Sequence, residues 1–412
     1  MPAAAVAPAE ALLAIVQRFG TPTYAYDIDQ IGRQVAAVRA QLPTSAQLLY
    51  SLKANPALGI VGLMAKWGLG ADVASAGELA TALAAGFAPD RIFVSGPYKS
   101  SELLTCLPAA GSATLSIDSV SELATLAATQ QPWRVVLRLR PDFASAAVVD
   151  AGAASRFGIP LADLPSCRAA INGAALRVVG FHVFAGSQIL AAGAVAHHLR
   201  AAVRLCLQAT SALGITPTVF NVGGGFGVPY APDESVLDLA SVGEELAALA
   251  ARVHPTTLLL ELGRYLVAEA GWYLTRVVAH QEYANRRAVV VDGGTHQRAD
   301  LCGLGLSARA RPPLVLAPHP SDARATAVLG CLCLPADILT EAAPLPALAL
   351  GDVLAFPNAG AYGLTASSAL FLGHPLPAEV AFAGTTVELL RPRLPAPAVL
   401  AGQHALMQLG QT

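Results

Sequence analysis

The run 47 QLLYSLKANP 56 is a short apolar segment that closes on a lysine and a proline-bounded turn, and its repetition decides the fold. Seven further runs of the same kind follow: 69 LGADVAS 75, 91 RIFVSG 96, 113 ATLSID 118, 134 RVVLRLR 140, 177 RVVGFHVF 184, 217 PTVFNVGGG 225 and 257 TLLLELG 263. Between them lie Ala/Leu-rich stretches, such as 76–86 and 119–129, with apolar residues at helical spacing and some with Ser or Asp at a cap position. The first five runs begin about every 22 residues. Strand and helix alternating eight times predict a (β/α)8 barrel with a parallel sheet.

The spacing widens after the fifth run, where 141–158 reads as a long loop over the barrel mouth. From about residue 272 the texture changes to β-rich runs without long helices: WYLTRVVAHQEY, RRAVVVDGG, ATAVLGCLCL, DVLAFPNAG and AEVAFAGTTVELLRP. The early PTYAYD (22–27) is a strand that precedes the barrel and is placed with these runs. The expected domains are therefore a barrel over 30–271 and a discontinuous, mostly β domain from 1–29 and 272–412. A chain of 412 residues accommodates a barrel of about 250 residues and a second domain of about 100 to 150. The Pro/Ala-rich 308–325 reads as an exposed loop.

Hydrophobic residues make up 54% of the chain and charged ones only 13%, which suits a large core and subunit contacts rather than a solvated, disordered chain. The formal charge is −2, and no Lys/Arg run could track a phosphate backbone, so nucleic acid is not expected as a partner. The opening MPAAAVAPAEALLAIVQRFG lacks a basic n-region, and no apolar stretch reaches the roughly 18 to 20 uninterrupted residues of a membrane span. A cytoplasmic protein without membrane contact is expected. Six scattered cysteines without a CxxC pair suggest reduced thiols, and no metal site is read from the sequence.

In a barrel of this kind only the C-terminal ends of the strands carry the βα loops, so reactive residues belong there. Lys53 ends the first run, Asp72 the second, Ser187 follows the sixth, Gly223, Gly224 and Gly225 end the seventh, and Glu261 and Arg264 the eighth. Together they form a set able to hold a phosphorylated cationic ring. A lysine in a partly apolar strand end can lose its proton and attack an aldehyde, unless it is a plain surface lysine. NVGGGFG lets backbone N–H groups approach a phosphate, although a tight turn alone would also explain three glycines. Glu261 ends an apolar run and needs a partner: a protonated ring nitrogen, or Arg264 or another barrel arginine.

At these residues the chain resembles the fold-type III pyridoxal-phosphate decarboxylases, which include diaminopimelate, ornithine and arginine decarboxylases. The resemblance runs from PTYAYD to HPLPAEV and implies an alanine-racemase-like barrel with a β C-terminal domain. YSLKAN resembles the Schiff-base motif, which implies that Lys53 carries pyridoxal 5'-phosphate. ADVASAGEL resembles the segment with an acid and a serine, here Asp72 and Ser75; FHVFAGSQ resembles the HIGSQ loop on the phosphate side; and NVGGGFG resembles the phosphate glycine loop. ELGRY resembles the segment whose acid, Glu261, meets the pyridine nitrogen while Arg264 lies near the phosphate. Arg138, Phe184, Ser187 and Gly263 complete the implied cofactor-binding set. In the β domain, GCLCLPAD resembles G-P-x-C-[DE]-x-x-D and NAGAY resembles G-A-Y. These imply that Cys333 donates a proton in a neighbouring subunit's site, that Tyr362 contacts the phosphate, and that the enzyme is a homodimer with shared active sites. A free cysteine in other settings is most often a buried hydrophobe.

The departures bear on the substrate, for which His182, Leu334 and Asp337 are the implied contacts. Where the family has a histidine stacked on the cofactor, this chain has Phe184, with His182 two residues earlier. After the donor cysteine the family carries Asp or Glu, which holds the distal amino group of a basic substrate; here it is Leu334. An ammonium left unpaired in a closed site costs several kcal/mol, so a non-basic, modified or carrier-protein-bound amino acid is expected. His374 in FLGHPLPAEV also stands where diaminopimelate decarboxylases have an S-R-P-R-P tail. The combination is more similar to the subgroup of secondary-metabolism and exosortase-associated decarboxylases, which includes glutamyl-carrier-protein decarboxylase. The alternatives are a diaminopimelate decarboxylase of lysine biosynthesis, a racemase of the same barrel, which would need a tyrosine where Cys333 stands, and a non-catalytic pyridoxal-phosphate-binding homologue.

Overall fold

A computed structural model describes residues 9–144, 146–150, 155–299, 310–318 and 320–403. The chain divides into two compact units, one over Ile28–Ala270 and one from the segments up to Asp27 and from Gly271 onward.

The first unit is a closed barrel of eight parallel strands: Ala46–Ser51, Gly70–Val73, Ile92–Val94, Thr114–Ile117, Arg134–Arg138, Arg177–His182, Val219–Gly224 and Thr257–Leu262. Each pairs with its neighbour in sequence order, and the last closes on the first through Leu260↔Leu48 and Glu261↔Leu49. All eight fall on the eight runs read from the sequence. Alternate residues point inward, and Leu49, Phe93, Val136, Val179, Val219 and Leu259 fill the interior as one apolar cluster. Local chemistry starts the helices: the side chains of Ser75, Ser100, Ser119 and Asp238 each accept a backbone N–H three residues on. Ser75, expected in the site segment, is such a cap.

The segment 141–158 is not wholly loop. Val149–Asp150 pairs antiparallel with Gly186–Ser187; residues 145 and 151–154 lie outside the described residues. Ser187 thus sits on this separate ladder, five residues beyond the strand that ends at His182.

The second unit is built on a nine-stranded sheet. Its centre is Thr23–Asp27, antiparallel to Gly271–Tyr283 and parallel to Ala378–Ala383, so the strand that opens the chain lies inside this sheet. Leu12, Ile15 and Val16 of the helix Ala9–Phe19 pack with Ala25, Leu274, Leu316, Val353, Val380 and Phe382. Two strands escaped the sequence reading. Leu314–Leu316 pairs with Val353–Phe356 inside the segment expected to be loop, and Ile338–Leu345 forms an edge beside Arg324–Leu329. Both are short or interrupted by Pro and Ala, and only pairing identifies them. Residues 308, 309 and 319 of the expected loop lie outside the described residues. No described helix is long and apolar enough to cross a membrane.

Candidate active site

After the first barrel strand the chain turns into a short 3-10 helix, Leu52–Ala54. Leu52 and Ala54 are buried, whereas the Lys53 side chain keeps 44% of its surface. Its Nζ lies 3.4 Å from Asp72 Oδ2, and its charge is 5.8 Å from the centre of the Phe184 ring. Asp72 is itself buried and held by a hydrogen bond from Ser95 Oγ at 2.6 Å. A second lysine, Lys99, makes the contrast clear. It is buried, donates to Gly96 O at 2.7 Å and to Ser116 O, and lies 3.4 Å from Glu122. Desolvation lowers its pKa, yet its protons are engaged and it acts as a brace.

Glu261 stands at the end of the eighth strand, 5% exposed. Its Oε1 accepts Asn221 Nδ2 at 2.5 Å; its Oε2 makes no hydrogen bond among the described residues. Burial pushes this carboxyl well above the usual carboxylate range, and the nearby Asp72 pushes in the same direction. Among the described residues neither Arg264 nor another arginine hydrogen-bonds to it; Asn221 stands in place of the alternative arginine pair. His182 lies 3.6 Å from Oε1 through Nε2, while its Nδ1 is 2.8 Å from Ser116 Oγ and its ring meets Phe93 edge-on. Burial, with the Arg138, Lys53 and Lys99 charges, holds its pKa well below 6.5, so the imidazole is neutral and the contact is no ion pair. At 2% exposure His182 lies in the barrel interior beside Glu261.

Arg138 shares Nη1 between the two oxygens of Asp118, at 3.3 and 3.2 Å, and lies over Phe157. Arg264 begins a short helix capped by Gly263 and donates to Tyr230 OH at 2.9 Å. The glycine run has a packing reason. A Cβ at Gly224 would lie 2.1 Å from Glu261 O and one at Gly225 2.2 Å from Gly186 O. The turn reading of these glycines is thus sufficient for their identity, and Gly223 N–H is already donated to Asn221 Oδ1 at 2.9 Å. Ser95, Ser116, Asp118, Asn221 and Tyr230 were missed in the sequence, although most stand at strand ends, the one signal available.

In the β unit, Cys333 is exposed and Leu334 is 43% exposed. Asp337 differs. It is 3% exposed, and its carboxylate accepts Thr295 N at 2.7 Å, Thr295 Oγ1 at 2.8 Å and Leu332 N at 2.8 Å. This acid closes the loop that carries Cys333, and its oxygens are engaged within the fold. Tyr362 is half-buried with φ 55°, in the left-handed region.

The family described as pyridoxal-dependent decarboxylase, pyridoxal binding domain, matches residues 28–268. The chain belongs to it. An L-glutamyl-(BtrI acyl-carrier protein) decarboxylase from Niallia circulans is 34% identical over 409 residues, 95% of this chain and 96% of its own length. A diaminopimelate decarboxylase from Deinococcus radiodurans is 34% identical over 393 residues, 93% of this chain and 96% of its own. A solved diaminopimelate decarboxylase from Helicobacter pylori, complexed with L-lysine, superposes with TM-score 0.85 at 27% identity, over 95% of this chain and 98% of that one. This protein is a pyridoxal-phosphate-dependent amino-acid decarboxylase with the barrel fold of those enzymes. The residues present fit the cofactor. The decarboxylase offers an accessible amine at Lys53, an aromatic face at Phe184, and a buried acid whose second oxygen has no hydrogen bond within the barrel, the acceptor a protonated ring nitrogen requires.

Proposed function

We propose that this decarboxylase acts on a non-basic amino acid, modified or carried on a protein at its distal end. Leu334 carries the reading: an accessible leucine follows Cys333 where an acid would pair a distal ammonium. Overall similarity does not discriminate, since the glutamyl-carrier-protein and diaminopimelate relatives are both 34% identical. Decarboxylation of meso-diaminopimelate is the second reading, favoured by the solved relatives that match nearly the whole chain.

Pyridoxal phosphate, when bound, supplies the electron sink for the pair left by the departing carboxylate. Lys53 Nζ would be the amine that holds the cofactor through its aldehyde. Asp72, fixed by Ser95, pairs with that amine and sets its position. Glu261 Oε2 would accept the ring N–H, with Asn221 orienting the carboxylate through Oε1. Phe184 would present its aromatic face to the group, and Ser187, the 223–225 backbone, Arg264 and Tyr362 would hold its phosphate. The bond from Cα to the carboxylate breaks, CO2 leaves, and a proton from Cys333 or Lys53 forms the new Cα–H bond. Cys333 serves the site of a second subunit in an obligate homodimer.

Two experiments test this. Relative kcat/KM for a carrier-bound glutamyl group against meso-diaminopimelate is expected to favour the former. Leu334→Glu shifts the ratio towards the diamino acid by roughly ten- to a hundredfold, the worth of one charge-assisted hydrogen bond. A wild type that prefers diaminopimelate, with a ratio unmoved by the substitution, would overturn the reading. Mixing inactive Lys53→Ala and Cys333→Ala subunits restores about a quarter of the activity under random exchange, because half the dimers are mixed and one of their two sites is complete. No recovery with verified exchange means that each chain completes its own site.

A further inference from the structure

Three residues far apart in sequence meet in the β unit: His296 in the turn after Arg286–Val291, Cys331 after Arg324–Leu329, and His374 before Ala378–Ala383. One donor atom from each lies within 4.8 Å of the others. Cys331 Sγ is 3.9 Å from His374 Nδ1, and the two imidazole rings have centroids 5.0 Å apart. His296 is 2% exposed, yet neither ring nitrogen has a hydrogen-bond partner among the described residues. A buried imidazole with both nitrogens unsatisfied is costly, and a ligand that uses one of them relieves the cost.

The backbone around the triad is tied in place. Asp337 accepts N–H groups from Thr295 and Leu332, the neighbours of His296 and Cys331. Gln297 Nε2 donates to Pro375 O at 3.0 Å, linking the other neighbour of His296 to that of His374. Cys331 N donates to Gly293 O at 3.0 Å. All three ligand positions are therefore braced by hydrogen bonds that use none of the ligand atoms themselves. Zinc with two imidazoles and a thiolate needs donor separations of roughly 3.3 to 3.8 Å, from its usual bond lengths, so only a small side-chain closure is required. Two histidines and one cysteine suit a borderline-soft divalent ion and not Mg2+ or Ca2+.

We propose that His296, Cys331 and His374 bind a divalent transition-metal ion of the zinc type, with a fourth position left to solvent or ligand. The ion fastens three loops of the β unit, one of which carries Cys333 two residues beyond the ligand. The proposal does not depend on the identity of the substrate. The sequence gives no hint of it, since the ligands have no metal-binding spacing.

The test uses the full-length, cofactor-loaded enzyme, stripped with a chelator and titrated with Zn2+ and with Co2+. Elemental analysis after desalting is expected to give about one zinc per chain, and the Co2+ form is expected to show the intense visible bands of a tetrahedral thiolate site. Cys331→Ser and His374→Ala each weaken metal binding by at least about 10- to 100-fold, the loss seen even for outer-shell partners. Cys333→Ser leaves stoichiometry and spectrum unchanged. The wild-type Co2+ spectrum needs no variant, so poor folding of a variant does not void the test. Substoichiometric zinc, an octahedral Co2+ spectrum, or binding lost with Cys333 and retained without Cys331 would each overturn the proposal.

Discussion

Glu261 and Asp337 are two acids that the sequence offered for the active site, and both are almost fully buried, at 5% and 3% exposure. Their surroundings differ. Asp337 accepts three hydrogen bonds from two backbone N–H groups and a hydroxyl and closes its own loop. Glu261 accepts one, from Asn221, and is held protonated more readily than an ordinary carboxyl by burial and by Asp72. Burial is equal, so the difference lies in satisfaction. A buried acid surrounded by donors has finished its task within the fold, whereas one left short of donors stores a cost that a ligand can relieve.

Substitution of each acid separates the two roles. The largest effect is expected from Asp337→Ala, which strands three donors and lowers unfolding free energy by roughly 3 kcal/mol or more, read by denaturant melts of the holoenzyme. A melt within error of wild type would show that Asp337 does not brace its loop. Next, Glu261→Gln preserves shape and the Asn221 contact but removes the charge. It should lower kcat/KM by roughly 10- to 100-fold, the value of a charge-assisted hydrogen bond of about 1.5 to 3 kcal/mol, without the stability loss of the first variant. The smallest effect concerns pH. A carboxyl with a raised folded-state pKa binds more protons folded than unfolded, so its contribution to stability is present below its ordinary value of 4.5 and is lost as pH rises through the raised one. The cofactor-free wild type should therefore lose stability relative to Glu261→Gln across that interval, with a slope of at most about 1.4 kcal/mol per pH unit. Parallel pH–stability curves for the two proteins would show that Glu261 is not strained.

Much of the barrel was legible because its strands and helices carry their own periodicity and cap chemistry. Lys53, Asp72 and Glu261 were legible because strand ends in a parallel barrel point to one face, so position along each run already implies convergence. In the β unit, Leu314–Leu316 and Ile338–Leu345 were not read, because a short or Pro-bearing strand is stabilised by its partner more than by its own residues.

The eightfold alternation, the amine at the first strand end and the acid at the last follow from local pattern and direction along the chain. Tertiary packing settles which polar groups are satisfied. It turned Asp337 into a brace, enclosed His182 between Ser116, Phe93 and Glu261, and brought His296, Cys331 and His374 within reach of one ion. Hydrogen-bond satisfaction depends on atoms supplied by distant segments at separations of a few ångströms, and no period or spacing along the chain encodes it.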